Sequence, residues 1–203
     1  MQPSFRRSLS VCLALVLCAE PAFAQGLMPL GDDKRASHRV MHQTYRDDEL
    51  GFTFSYPSSW SLQAIDVNDP PSDLYPIGLN HLVRAVVFLA APGGSPRVVM
   101  GADEANGRTV DLYADQVESE LMLITEQQGG TLTTVSRRRT RLGDTRAIEM
   151  FFRQEIEGVV GLSRRVFTEV DGVIYGFTYL SQERQLRTHM KTFATMIVSF
   201  EVE

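Results

Sequence analysis

The chain has 203 residues, a formal net charge of −5 and 22% charged residues. That acidic balance disfavours a nucleic-acid binder, whose affinity comes from neutralising phosphates. Only two cysteines are present, Cys12 and Cys18.

Both cysteines lie in a leader. Arg6-Arg7 precede an apolar run from Leu9 to Leu17, and Ala22-Phe23-Ala24 places small residues at alternate positions, the pattern of a secretory signal peptide cleaved between Ala24 and Gln25. The twin arginine before Ser8-Leu9 partly resembles the signal of the folded-protein export route, while the strongly apolar core favours the general route. Leu17 stands before Cys18 where a lipobox needs a small residue, which argues against a lipid anchor. Cleavage removes both cysteines, so the mature chain is expected to have no disulfide, zinc-thiolate or cysteine nucleophile. It also removes Arg6, Arg7 and Glu20, which makes the balance one unit more negative. After Ala24 no apolar run approaches the roughly 20 residues that span a bilayer. A periplasmic or secreted domain, held by its core alone, is the expectation.

From Gln25 to Glu49 the chain is polar and has no sustained period, as expected of a flexible arm, and the folded domain is predicted from Leu50 to Glu203. Phe52, Phe54 and Tyr56 alternate with Thr53 and Ser55, which predicts a strand with three aromatics on one face. Pro57 and Ser58-Ser59 favour a turn, and the reading is an aromatic hairpin that returns with Trp60 and Leu62. Asp66 to Asn80 holds three prolines and several acids and reads as a long surface loop, of a length that usually signals a role. Leu82 to Ala91 is apolar at successive positions and suits a central strand, with Arg97 to Ala102 as its antiparallel partner. Val110, Tyr113, Ala114, Val117, Leu121 and Ile124 then recur at spacings of three and four, which predicts a helix capped by Thr109 and ended by Gly129-Gly130. Thr131 to Leu142 is predicted to pair with Thr145 to Glu157 through Gly143-Asp144, and Gly158 to Gly161 leads into Leu162 to Val170. Asp171-Gly172 is a hairpin signal into Val173 to Leu180. Leu186, Met190, Phe193 and Ile197 mark a second helix from near Ser181, and Ser199 to Glu203 an edge strand. A sheet apolar on both sides needs cover on both sides, so the fold class is α+β, a three-layer sandwich whose central, mostly antiparallel sheet is flanked by helices.

The opening Leu50-Gly51-Phe52-Thr53-Phe54-Ser55-Tyr56-Pro57-Ser58-Ser59-Trp60 resembles the G-F-x-F-x-Y-P-x-x-W start of PsbP-like domains. That superfamily includes the extrinsic oxygen-evolving protein of photosystem II and a Ran-binding nuclear-import factor. The end is similar too, with Gly172-Val173-Ile174-Tyr175-Gly176-Phe177-Thr178-Tyr179, a helix, and Ile197-Val198-Ser199-Phe200. The matched positions are aromatic and turn residues. The resemblance therefore implies a fold and a binding role in a bacterial secreted protein, and it carries over no catalytic or ligand residue.

His38 and His42 have the four-residue spacing that lets two imidazoles reach one metal from a helix, but no glutamate lies between them and they sit in the predicted arm, so they read as solvated. His81 reads as a loop residue and His189 as a helix-surface one, and no Gly-x-Ser-x-Gly elbow supports a catalytic triad. Asp66, Asn68, Asp69 and Asp73 are oxygen donors of the kind a hard cation needs, in an order unlike an EF-hand loop. They are taken as loop contacts for a partner, and no metal or cofactor is expected. Arg137, Arg138, Arg139 and Arg141 form the most unusual cluster. On a strand Arg137, Arg139 and Arg141 share one face, so three guanidiniums can line a partner-binding patch. The same run also fits an exposed strand end neutralised by the chain's own acids, and arginine at an edge discourages aggregation. The resulting reading is a non-enzymatic binding or assembly-helper protein acting on an envelope protein. The alternative is a small-molecule or lipid carrier with a pocket between helix and sheet; a hydrolase ranks below both, because no adjacent nucleophile and base can be named. Mass spectrometry of the protein recovered from its producing organism is expected to find Gln25 at the N-terminus; a soluble pool that keeps Met1 to Ala24 would remove the basis for export.

Overall fold

The computed structural model describes residues 40–65, 84–183 and 186–203. The leader, the arm up to residue 39 with His38, the Asp66–Asn80 loop with Asp66, Asn68, Asp69 and Asp73, and His81 lie outside the described residues. Within them the chain forms ten strands and two helices, and the strands fall into two antiparallel sheets rather than one.

The smaller sheet has three strands in the order β1 (His42–Asp47), β2 (Phe52–Pro57) and β10 (Glu201–Val202). β1 lies inside the segment predicted as an arm, so the fold begins before Leu50. Its side chains are mostly exposed, hence the missing apolar period; what holds it is the ladder to β2 and the Tyr45 ring, 5.9 Å from Phe52 and 5.5 Å from Phe54. The turn between them is closed by Asp47, whose carboxylate accepts from the backbone N–H of Glu49 at 3.1 Å and Leu50 at 2.9 Å.

The larger sheet has seven strands: β3 (Ser61–Ala64), β4 (Arg84–Ala90), β5 (Arg97–Glu104), β9 (Val173–Gln182), β8 (Val159–Val170), β7 (Thr145–Ile156) and β6 (Thr131–Leu142), in that spatial order. The predicted hairpin between Phe52 and Leu62 does not form, since β2 pairs with β1 and β10 while β3 pairs with β4. Around the turn, the Ser58 N–H donates to the Met41 carbonyl at 2.9 Å and the Trp60 N–H to the Pro57 carbonyl at 3.0 Å. These bonds tie the chain to β1 and carry it across to the other sheet. Phe52, Phe54, Tyr56 and Trp60 still share one core, because sheet packs on sheet where pairing was expected.

The later hairpins follow their turn residues. Asp171 and Gly172 take φ of 50° and 83°, and Glu157 and Gly158 take 52° and 76°, so β8 starts at Val159 where a longer connection to Leu162 was predicted. Between β5 and β6 runs α1 (Val110–Gln127), with the Thr109 hydroxyl accepting from the Leu112 N–H at 3.3 Å. Neighbouring strand residues point to opposite faces, and the core divides accordingly. Tyr113, Ala114, Val117 and Leu121 of α1 pack on Ile148, Phe152, Phe167 and Ile174. On the other face Val166, Tyr175, Phe177 and Tyr179 meet Phe193, Met196 and Ile197 of α2 (Leu186–Val198) and the aromatics of β2.

Gly143 fixes where the β6–β7 hairpin sits. It has φ +56°, a Cβ on it would collide with the Phe200 carbonyl, and its N–H donates to the Ile197 carbonyl at 2.7 Å, so the hairpin tip is fastened to the end of α2. No helix among the described residues is long and apolar enough to cross a membrane. Trp60 is 5% exposed and belongs to the larger core cluster. Trp60→Ala is expected to cost about 3–5 kcal/mol, the range for deleting a large buried aromatic, read as a lowered denaturant midpoint; an unchanged midpoint would deny it a place in the core.

Candidate functional site

β6 is the outermost strand of the seven-stranded sheet, hydrogen-bonded to β7 on one side. Its Thr- and Arg-rich sequence leaves it exposed along most of its length. A bulge between Thr134 and Ser136 shifts the register, after which Arg137 stands opposite Met150, Arg138 opposite Glu149, Arg139 opposite Ile148 and Arg141 opposite Arg146. Strand alternation therefore puts Arg137, Arg139 and Arg141 on the α1 face and Arg138 on the α2 face, as the sequence period predicts.

The three do not form one open patch. Asp111, Asp115 and Glu118 recur on α1 at helical spacing and lie beside β6. The Arg137 guanidinium donates to the Asp115 carboxylate and, at 3.2 Å, to the Asp111 carbonyl, with the Asp111 and Glu118 carboxylates 3.8 Å and 3.9 Å away. Arg139 reaches the Asp111 carboxylate at 2.8 Å and stays 71% exposed. Arg137 is thus a structural counter-ion for the helix, and Arg139 a half-neutralised rim.

Arg141 lies beyond the start of α1. Its guanidinium donates to the Asp144 carbonyl at 3.0 Å, and the residue directly across the ladder is another exposed arginine, Arg146. Neither has a carboxylate in ion-pair reach among the described residues. Glu169, on the adjacent strand, accepts instead from the Gly172 N–H at 2.8 Å. Like charges directly opposite on a sheet destabilise the free protein. Arg146 went unnoticed in the sequence, although the two-residue Gly143-Asp144 turn fixes the register that places it across from Arg141.

On the opposite face Arg138, itself 61% exposed, reaches a buried carboxylate that a second, mostly buried arginine also holds. The Glu149 carboxylate, 6% exposed, accepts from Arg138 at 3.0 Å and from Arg164 at 2.6 Å. Arg164 lies over the Phe193 ring at 5.4 Å. Burial pushes the Glu149 carboxyl up, but the hydrogen bonds from Arg164 and Arg138 and their charges outweigh it and hold it below the usual carboxylate range. An acid inside Ala147-Ile148-Glu149-Met150-Phe151-Phe152 is the sequence signal for such a pair.

The histidines stand apart from this edge. His42 opens the exposed β1, and His189, read from sequence as a helix-surface residue, is half-buried on α2 with its ring edge-on to Trp60 at 5.9 Å. No group of three or more metal-ligating side chains occurs among the described residues. A groove lined by Asp115, Glu118, Ser119, Met122, Leu123 and Glu126 runs along the outward side of α1, away from the helix–sheet interior that a carrier would use.

No protein-family model matches the sequence, and no curated protein matches it as a relative. Among solved structures the fold is similar to cyanobacterial PsbP (CyanoP) from Synechocystis sp. PCC 6803, with a TM-score of 0.60 and 17% identity over 87% of this chain and 99% of that one. LpqN, involved in cell envelope biogenesis of Mycobacterium tuberculosis, aligns over 81% of this chain and 91% of its own at 9% identity and a TM-score of 0.49. PA94 of Pseudomonas aeruginosa, a protein of unknown function, aligns over 78% and 94% at 16% identity and 0.44. The first establishes a PsbP-like fold; the other two are too distant to bear on function.

Glu149→Gln leaves Arg164 buried without a carboxylate and is expected to cost about 3–5 kcal/mol at neutral pH. Because the folded-state pKa is the lower one, Glu149's contribution is complete above the unfolded carboxylate range and is lost as pH falls through the folded value. Unfolding midpoints measured from neutral to acid pH should fall less steeply in the variant; parallel curves would contradict this ion pairing.

Proposed function

We propose that this PsbP-like domain is a non-enzymatic, extracytoplasmic binding or assembly-helper protein that acts through contacts with an envelope protein. The observation that carries the reading is the Arg141/Arg146 pair: two exposed arginines stand opposite each other in the ladder, with no acid in ion-pair reach among the described residues, in a chain whose net charge is −5. Arg139 extends this basic surface toward α1, and Arg137 supports it from within its ion pairs. An acidic partner relieves the repulsion and converts exposed charge into charge-assisted hydrogen bonds. The leader provides the route out of the cytoplasm, and the layered packing of helix, sheet and second sheet supplies the rigid frame that holds the edge. The loop that carries Asp66, Asn68, Asp69 and Asp73 is the competing contact surface.

In a pull-down from envelope extract, replacing Arg139, Arg141 and Arg146 together by glutamine is expected to weaken partner capture at least about tenfold, with a reduced dependence on salt, and to leave the unfolding midpoint nearly unchanged. Full capture by that triple variant, with loss after changes in the 66–80 loop, would move the binding surface to the loop.

Arg146→Gln separates function from stability. The change removes the like charge opposite Arg141 without adding an acid beside Glu169, so it should leave the unfolding midpoint unchanged or slightly raised while it weakens capture. A variant that is both less stable and fully competent would refute the role of the pair.

A further inference from the structure

We propose that β6 is a strand-addition site, at which an extended acidic segment of the partner pairs with the strand's outer edge and continues the seven-stranded sheet. The proposal rests on the protein-binding reading above and specifies the form of the contact.

The two ends of the sheet differ. β3 closes one end with four residues, whereas β6 presents twelve on the other, a run of roughly 40 Å at the rise of an extended strand. Among the described residues no element covers that outer edge: α1 lies on a face of β6 through its ion pairs, and the end of α2 is fastened at the Gly143 turn. An edge strand has outward N–H and C=O groups that a further strand can satisfy. β6 contains no proline that would remove a donor and no inward-pointing acid that would repel one. Past the bulge, the regular stretch from Ser136 to Leu142 has room for a segment of about six or seven residues.

Bulges and charges are also the usual protection of an edge against unintended pairing. Here the charge has a single sign, and it selects rather than excludes. Arg138 stands on one face, and Arg139 and Arg141 on the other, so an added strand has arginines beside both rows of its side chains. A second copy of this chain would bring its own arginines against these, an arrangement that like-charge repulsion disfavours. A basic or neutral strand leaves the Arg141/Arg146 repulsion unrelieved. A segment with acids on both faces is the complementary occupant, its backbone supplying ladder bonds and its carboxylates partners for Arg138, Arg139 and Arg141.

The test uses the intact protein and a synthetic ten-residue peptide built on a Glu-Glu-Val-Val repeat, which puts acids on both faces of an extended strand, compared with the same peptide N-methylated at alternate residues. Hydrogen exchange should slow at β6 amides between Ser136 and Leu142 when the parent peptide is added, and N-methylation, which keeps the charges but removes backbone donors, should weaken binding at least tenfold. A lysine-for-glutamate peptide should not bind. Equal affinity for the methylated and parent peptides would overturn strand addition while leaving an electrostatic protein-binding patch intact. Loss of partner capture in the arginine variant without any peptide-dependent protection of β6 would do the same. Concentration-dependent dimers that protect β6 would overturn the acidic, heterotypic occupant.

Discussion

Phe54 of β2 meets Phe177 of β9 edge-on, with ring centroids 5.1 Å apart, and the joining of the two sheets depends on that contact and its neighbours. Phe52 approaches Tyr175 at 5.9 Å, and Phe200 approaches Phe177 at 5.7 Å, both in tilted or edge geometries that suit the ring quadrupoles. Each such pair adds about 0.5–1.5 kcal/mol beyond the area it buries. Tyr175 also donates its hydroxyl to the Leu50 carbonyl at 2.9 Å, so the turn before β2 is tied to the larger sheet. Without this cluster the three-stranded sheet has no face to bury, and β1, which contributes little apolar surface, has nothing to pair with.

The same cluster sets the position of the basic edge. Phe200 is part of it, its carbonyl closes over Gly143, and the Gly143 N–H reaches back to Ile197. The β6–β7 turn is thereby held by the core, and Arg141 and Arg146 flank that turn in fixed register. On the far side of the strand, α1 is oriented by Tyr113, Val117 and Leu121 in the second core, which brings Asp111 and Asp115 over Arg137. Core packing thus decides which arginines are paired and which are left to solvent.

Sequence reasoning reads this molecule well where local chemistry suffices. The Thr109 cap, the three-and-four spacing to Ile124, the β6 bounds and the Asp171-Gly172 turn all depend on residues close in the chain, and the structure has them. It fails where a contact joins distant segments. β1 carries no period because its stability comes from β2, and the Phe52–Leu62 stretch was assigned to one hairpin because alternation cannot distinguish pairing from sheet-on-sheet packing. Arg137 lies 22 residues from Asp115, a distance over which spacing says nothing about contact. Arg146 opposite Arg141 was legible in the two-residue Gly143-Asp144 turn, and a buried partner for Glu149 in the acid within the apolar run of β7, but neither was read from the sequence.

The magnitude of the arginine repulsion explains how such an edge persists. Two exposed unit charges repel by only about 1 kcal/mol even at about 4 Å in water, and greater separation and salt reduce this further. That is a small fraction of a domain's stability, so the fold tolerates it. It is nonetheless comparable with what a cross-strand ion pair returns, so an acid placed between the two guanidiniums both removes a penalty and adds an attraction. Arg137 lacks that difference because Asp111 and Asp115 already hold it, and Arg139, paired with Asp111 yet 71% exposed, keeps part of it. Selectivity along β6 therefore follows from where α1 begins: residues alongside the helix are held by its acids, and Arg141, beyond its start, has no acid in ion-pair reach among the described residues.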